Sequence, residues 1–170
     1  ANVVGNDLTV FAYDGPGRID LVPVTLGSTA TTDAPYAVAV ADFDGDGDYD
    51  LASANQAANT LSIFRQSAPG QFDATPLTLG GAGTTDGPRA VVAADFNGDG
   101  DFDLASANSL IDNLTLFLQQ SDGSFPAAPI TLGGDTITDF PTDVDTADFD
   151  GDGDLDLVCS NGVGDSLTVF

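Results

Sequence analysis

The stretch DFDGDGDYDL, Asp42 to Leu51, places five aspartates in nine residues, with glycines at 45 and 47. Nearly the same string returns as DFNGDGDFDL, Asp95 to Leu104, and as DFDGDGDLDL, Asp148 to Leu157. The three strings begin 53 residues apart, and that register holds along the whole chain without a gap. Phe11, Phe64, Phe117 and Phe170 fall in step, as do Asn2, Asn55, Asn108 and Asn161. So do Pro23, Pro76 and Pro129, then Gly27, Gly80 and Gly133, then Pro35, Pro88 and Pro141. A fixed period of this length marks units that bury their faces against one another.

One period reads as four short strands. YAVAVADF (36–43) is an apolar run suited to a buried inner strand. The acidic loop follows it. DLASANQ (50–56) carries small residues on alternate positions, and NTLSIFRQ (59–66) sets Leu61 and Ile63 on one face against Ser62 and Phe64 on the other. APGQ (68–71) is a turn around Pro-Gly. FDATPLTLG (72–80) is the fourth strand; Pro76 removes a ladder donor, so it belongs at an edge. Residues 81–88 link to the next unit. No segment shows a 3.6-residue period, and β-branched residues are common, which argues against flanking helices.

The expected fold is therefore all-β: β-propeller blades of four antiparallel strands, about three per chain. A solenoid of stacked sheets is the competing architecture. Residues 1–170 form one repeat domain, with a partial blade at 1–33, blades at 34–86 and 87–139, and a partial blade at 140–170. Val38, Phe43, Leu51, Leu61 and Phe64 are the residues expected to cover neighbouring blades. The two ends are complementary, so the chain is a part of a longer array or half of a six-bladed ring made by a head-to-tail homodimer. It has no initiator Met and no signal-peptide pattern, as expected of a processed protein or a piece of a longer one.

Composition narrows the function. Of 170 residues 42% are apolar, enough for a core. The net charge is −24, and all 27 acidic residues are Asp. Fourteen of them lie in the three loops. The only bases are Arg18, Arg65 and Arg89. Such a chain repels nucleic acid and anionic membranes. No apolar run approaches the roughly 18 residues of a membrane span. A single cysteine, Cys159, rules out an internal disulfide.

In the first loop Asp42, Asp44, Asp46 and Asp50 stand at positions 1, 3, 5 and 9, and Asp48 at position 7 offers its carbonyl. Gly47 allows the bend that turns these oxygens inward. Hard oxygen donors in this number suit Ca²⁺. There is no His, and Cys159 lies outside the loops, which argues against zinc or a soft metal; the flexible carboxylate cage also suits Ca²⁺ better than Mg²⁺. The equivalent sets are Asp95, Asn97, Asp99, Asp101 and Asp103, and Asp148, Asp150, Asp152, Asp154 and Asp156. An amide oxygen at Asn97 can replace a carboxylate. Each loop is more than a solvated Asp/Gly turn because it recurs three times at a fixed period. It is not an EF-hand, since position 12 carries Ser53, Ser106 and Cys159 in place of Glu. Two carboxylates about 4 Å apart repel by roughly 1 kcal/mol in water, and a divalent ion reverses that sign. Three ions would bring the net charge from −24 to −18.

ADFDGDGDYDLASAN, followed by PGQF and PLTLG, resembles the FG-GAP/VCBS repeats, and the second and third copies match equally well. The glycine-alanine-proline segment of FG-GAP is replaced by SANQ and SANS, which makes the bacterial VCBS type the nearer resemblance. The resemblance implies calcium-binding blades of an integrin α-chain-like propeller, extracellular or at a bacterial cell surface. It also implies a non-catalytic scaffold or adhesion module. The chain lacks His, Glu and Lys, and Cys159 aligns with Ser53 and Ser106 as a small core residue, so catalysis is not expected. A lectin is the alternative, with a protein or glycan as partner, although Trp is missing and few aromatics (Tyr13, Tyr36, Phe140) stand outside the core. Arg65 and Arg89 read as surface residues.

Overall fold

The computed structural model describes residues 1–12 and 22–170. Among them are fifteen strands and no helix. They are β1 (Leu8–Val10), β2 (Val24–Leu26), β3 (Pro35–Ala41), β4 (Asp50–Asn55), β5 (Thr60–Phe64), β6 (Gln66–Ala68), β7 (Gln71–Phe72) and β8 (Leu77–Gly80). The chain continues with β9 (Pro88–Ala94), β10 (Asp103–Asn108), β11 (Asn113–Phe117), β12 (Ile130–Gly133), β13 (Pro141–Ala147), β14 (Asp156–Asn161) and β15 (Ser166–Val169). Tyr13 and Arg18, and the first residues of the strand expected at 18–27, lie outside the described residues.

The strands form the expected antiparallel blades. Two four-stranded sheets run β3-β4-β5-β8 and β9-β10-β11-β12. A three-stranded sheet, β13-β14-β15, a two-stranded sheet, β1-β2, and a small hairpin, β6-β7, complete the set, and no sheet closes on itself. First strands stand side by side, β3 against β9 and β9 against β13. Each of them starts at a proline and opens with a register shift, between Pro35 and Ala37 in β3 and between Pro141 and Asp143 in β13. Proline has no N–H to give the ladder, so the bulge falls there. For the same reason the fourth strand is shorter than expected: β8 begins only after Pro76, and the residues before it form the β6-β7 hairpin.

The alternation within strands explains how blades stack. Ala37, Ala39, Ala52, Ala54, Leu61 and Ile63 share one face and pack onto Val91, Leu104 and Phe117 of the next blade. Small residues on one face make room for bulky ones on the other. The same pattern joins Ala90, Ala105, Ala107 and Leu114 to Val144 and Leu157, and joins Leu8 and Leu26 to Phe64. Leu61, Leu104 and Leu114 are fully buried, each contributing about 1.5–3 kcal/mol.

The first strand is not the buried strand its composition suggested. Val38 is 45% exposed, whereas its equivalents Val91 and Val144 are each 7% exposed. Val91 and Val144 are covered by the Ala-rich face of a preceding blade. Among the described residues only β1 and β2, a third and a fourth strand, stand before β3, and none of them presents an Ala-rich face to Val38. Phe43, Leu61 and Phe64 do cover neighbours as expected.

A polar staple repeats beside this apolar packing. The buried Thr85 hydroxyl donates to the Asn59 carbonyl at 2.5 Å and accepts from Gly81 N at 3.0 Å. Thr32 does the same with Asn6 O and Ser28 N, and Thr138 with Asp112 O and Gly134 N. Each linker is thereby pinned to the hairpin turn of the blade before it.

Candidate metal centre

Each acidic loop joins the first two strands of a blade, so the β3-β4 and equivalent ladders fix its two ends. Inside it the first aspartate organises the backbone. Asp42 accepts Gly45 N (2.8 Å), Asp46 N (3.2 Å) and Gly47 N (2.9 Å). Asp95 accepts Gly98, Asp99 and Gly100 N, and Asp148 accepts Gly151 and Gly153 N. Gly47, Gly100 and Gly153 hold φ of 94°, 95° and 101°. A side chain is strained in that conformation, which is why glycine stands at position 6.

The ninth residue closes the loop. Asp50 is fully buried; its Oδ2 accepts Phe43 N (2.8 Å) and its Oδ1 accepts Gln66 N (2.7 Å). Asp103, equally buried, accepts Phe96 N (2.9 Å) and Gln119 N (2.7 Å), and Asp156 accepts Phe149 N (2.8 Å). Burial pushes the Asp50 carboxyl above its ordinary range; the two amide donors pull against this, and Asp44 and Asp42 add to it. Asp103 is raised by burial in the same way, with Asp99 and Asp95 as its charged neighbours. A raised carboxyl shows that negative charge is held there unfavourably, which a cation would correct.

The geometry brings together positions 1, 3 and 9. Oxygens of Asp42, Asp44 and Asp50 lie within 4.8 Å of one another, and so do those of Asp148, Asp150 and Asp156. Asp46 and Asp152 stand apart from these clusters, each receiving the amide of position 7, from Asp48 at 2.8 Å and from Asp154 at 2.9 Å. In the middle loop Asn97 replaces a carboxylate; its Oδ1 accepts Asp99 N and its Nδ2 donates to Asp99 Oδ2, both at 2.9 Å, while Asp99 Oδ1 accepts Asp101 N. Three converging carboxylate oxygens with no histidine or cysteine in the cluster fit a hard cation.

Two arginines read as surface residues are half-buried and engaged by neighbours. The Arg89 guanidinium lies 5.3 Å from the Tyr36 ring and 4.7 Å from the Phe140 ring, with Nε donating to Ser109 Oγ. It ties three successive first-strand regions through cation–π contacts. Arg65 donates to the Gly123 carbonyl at 3.0 Å and lines a cavity of about 340 Å³ between the first two acidic loops. Cys159 is buried, as expected for a small core residue.

Sequence reasoning missed the Thr32, Thr85 and Thr138 staple and the role of Gln119. The threonines recur at the 53-residue period and were visible as such. Nothing in the pattern signalled Gln119, because its contacts depend on the chain path.

Antiparallel blades, three of them with an acidic loop between their first two strands, define a propeller-type repeat protein. The model of the FG-GAP-like repeat matches residues 2–53, 42–106 and 95–159, and the chain belongs to that family. Repeats of this family are generally non-catalytic and typical of extracellular proteins. No curated protein matches the chain. Among the described residues no helix is long and apolar enough to cross a membrane.

Proposed function

We propose that this is a non-catalytic β-propeller module stabilised by Ca²⁺ at its three acidic loops, serving as a scaffold or protein-interaction unit outside the cell or at its surface. The convergence of Asp42, Asp44 and Asp50, repeated at Asp148, Asp150 and Asp156, carries the reading. Membership of a family whose repeats often bind Ca²⁺ supports it. Bound Ca²⁺ would neutralise the crowded carboxylates and hold the turn between two strands. Binding to the folded state alone adds to folding free energy. Removing calcium with a chelator should therefore lower the melting temperature by several degrees. An unchanged melt, with metal analysis confirming that calcium had been bound and then lost, would sink the structural role.

A second copy joined head to tail is the partner we propose for the bare faces. Val38 at one end, and Leu167 at 71% and Val169 at 55% exposure at the other, are apolar where Leu61, Ile63 and Leu114 are fully buried inside the stack. A blade of the same kind covers such a face elsewhere in the chain.

A further inference from the structure

Gln119 touches two acidic loops at once. Its backbone N–H donates to Asp103 Oδ1 at 2.7 Å, the ninth residue of the middle loop. Its side-chain Nε2 donates to the Phe43 carbonyl at 2.6 Å, the second residue of the first loop, 76 positions away. Phe43 N in turn donates to Asp50 Oδ2 at 2.8 Å, so an unbroken path runs from Asp103 through Gln119 and Phe43 to Asp50. The bridge is buried: Gln119 is 5% exposed, and the Phe43 ring, 2% exposed, packs in the core with the next blade. Gln66 holds the equivalent position one period earlier, and its side chain accepts Gly70 N.

We infer that Gln119 is a positioning residue that couples calcium binding at loop 42–50 to calcium binding at loop 95–103. The inference rests on the calcium reading above. Ordering Asp103 around an ion fixes the Gln119 amide, which fixes the Phe43 peptide and with it Asp50. The second ion then meets a loop already ordered, and the coupling is reciprocal. Couplings of this kind change affinity by roughly 5- to 150-fold.

The test is calorimetric titration with calcium alone, in a background where Asp148→Ala silences the third loop. Adding Asp95→Ala should weaken calcium binding at the first loop at least fivefold. Gln119→Leu, which keeps the volume but removes the amide, should cause the same weakening, and Asp95→Ala on top of it should add nothing. The third loop, measured in the otherwise native chain, should be unmoved by Gln119→Leu, which separates coupling from general loosening. First-loop affinity indifferent to Asp95→Ala, or coupling that survives Gln119→Leu, overturns the inference. No calcium uptake at any loop overturns the calcium reading and the inference with it.

Discussion

The Thr85 hydroxyl oxygen lies 2.1 Å from the point where a Cβ on Gly80 would stand. That hydroxyl donates to Asn59 and accepts from Gly81, so it cannot step aside without breaking the linker staple. Gly80 also holds φ at 80°. Gly80→Ala should cost about 2–4 kcal/mol from overpacking and backbone strain together. Thr85→Val keeps the shape but strands a half-buried carbonyl and amide, costing about 1–3 kcal/mol. Urea unfolding measures both; a silent Thr85→Val would mean that the staple contributes nothing.

Two loop aspartates should behave differently when calcium is removed. Asp44 is exposed and accepts only a long, solvent-exposed bond from Asp46 N (3.4 Å), whereas buried Asp50 satisfies the amides of Phe43 and Gln66. In chelator, Asp44→Ala should melt with the native chain or slightly above it, because one repulsion is gone. Asp50→Ala should lose about 2–4 kcal/mol under the same conditions, from two unsatisfied amides. Equal melts for the two variants would contradict the assignment of a second, structural task to Asp50.

Head-to-tail pairing faces a specific obstacle. The last blade carries Asp143 and Asp145 where the inner blades carry Ala37 and Ala90, and Ala39 and Val92. Both carboxylates are exposed and would be partly desolvated by a neighbour. Light scattering in calcium should give about twice the 17.2 kDa chain mass, and Asp143→Ala with Asp145→Val should tighten the dimer about tenfold or more. A monodisperse monomer for both proteins at high concentration refutes the pairing.

Cys159 is 1% exposed, and burial pushes its thiol above the ordinary range. The reactive thiolate is therefore scarcer than for a free cysteine at the same pH. A thiol reagent at pH 8 should label the native chain far more slowly than the unfolded chain. Calcium should slow labelling further, because the thiol opens only when the last blade does. Labelling that is rapid and blind to calcium would place Cys159 outside the cooperative unit.

Much of this architecture was legible in the chain order. The 53-residue period set the blades, alternation set the faces of β5, and the Asp and Gly positions set the loops, because those features are local or repeat in register. The first strand was misread because composition gives apolarity without saying which neighbour covers it. Val38 and Val91 are the same residue in the same strand position, and only the presence of a blade beside Val91 separates them. Arg89 was likewise invisible: its partners Tyr36 and Phe140 lie on other blades.

The sequence by itself determined the repeat, the four-stranded unit and a cluster of hard oxygen donors at each loop. Only the tertiary structure decided which carboxylates converge, which faces stay bare and which residue bridges two loops. The reason is distance along the chain. Strand and turn preferences act over a few residues, whereas the bond from Gln119 to Phe43 spans 76 and exists only once two blades have stacked.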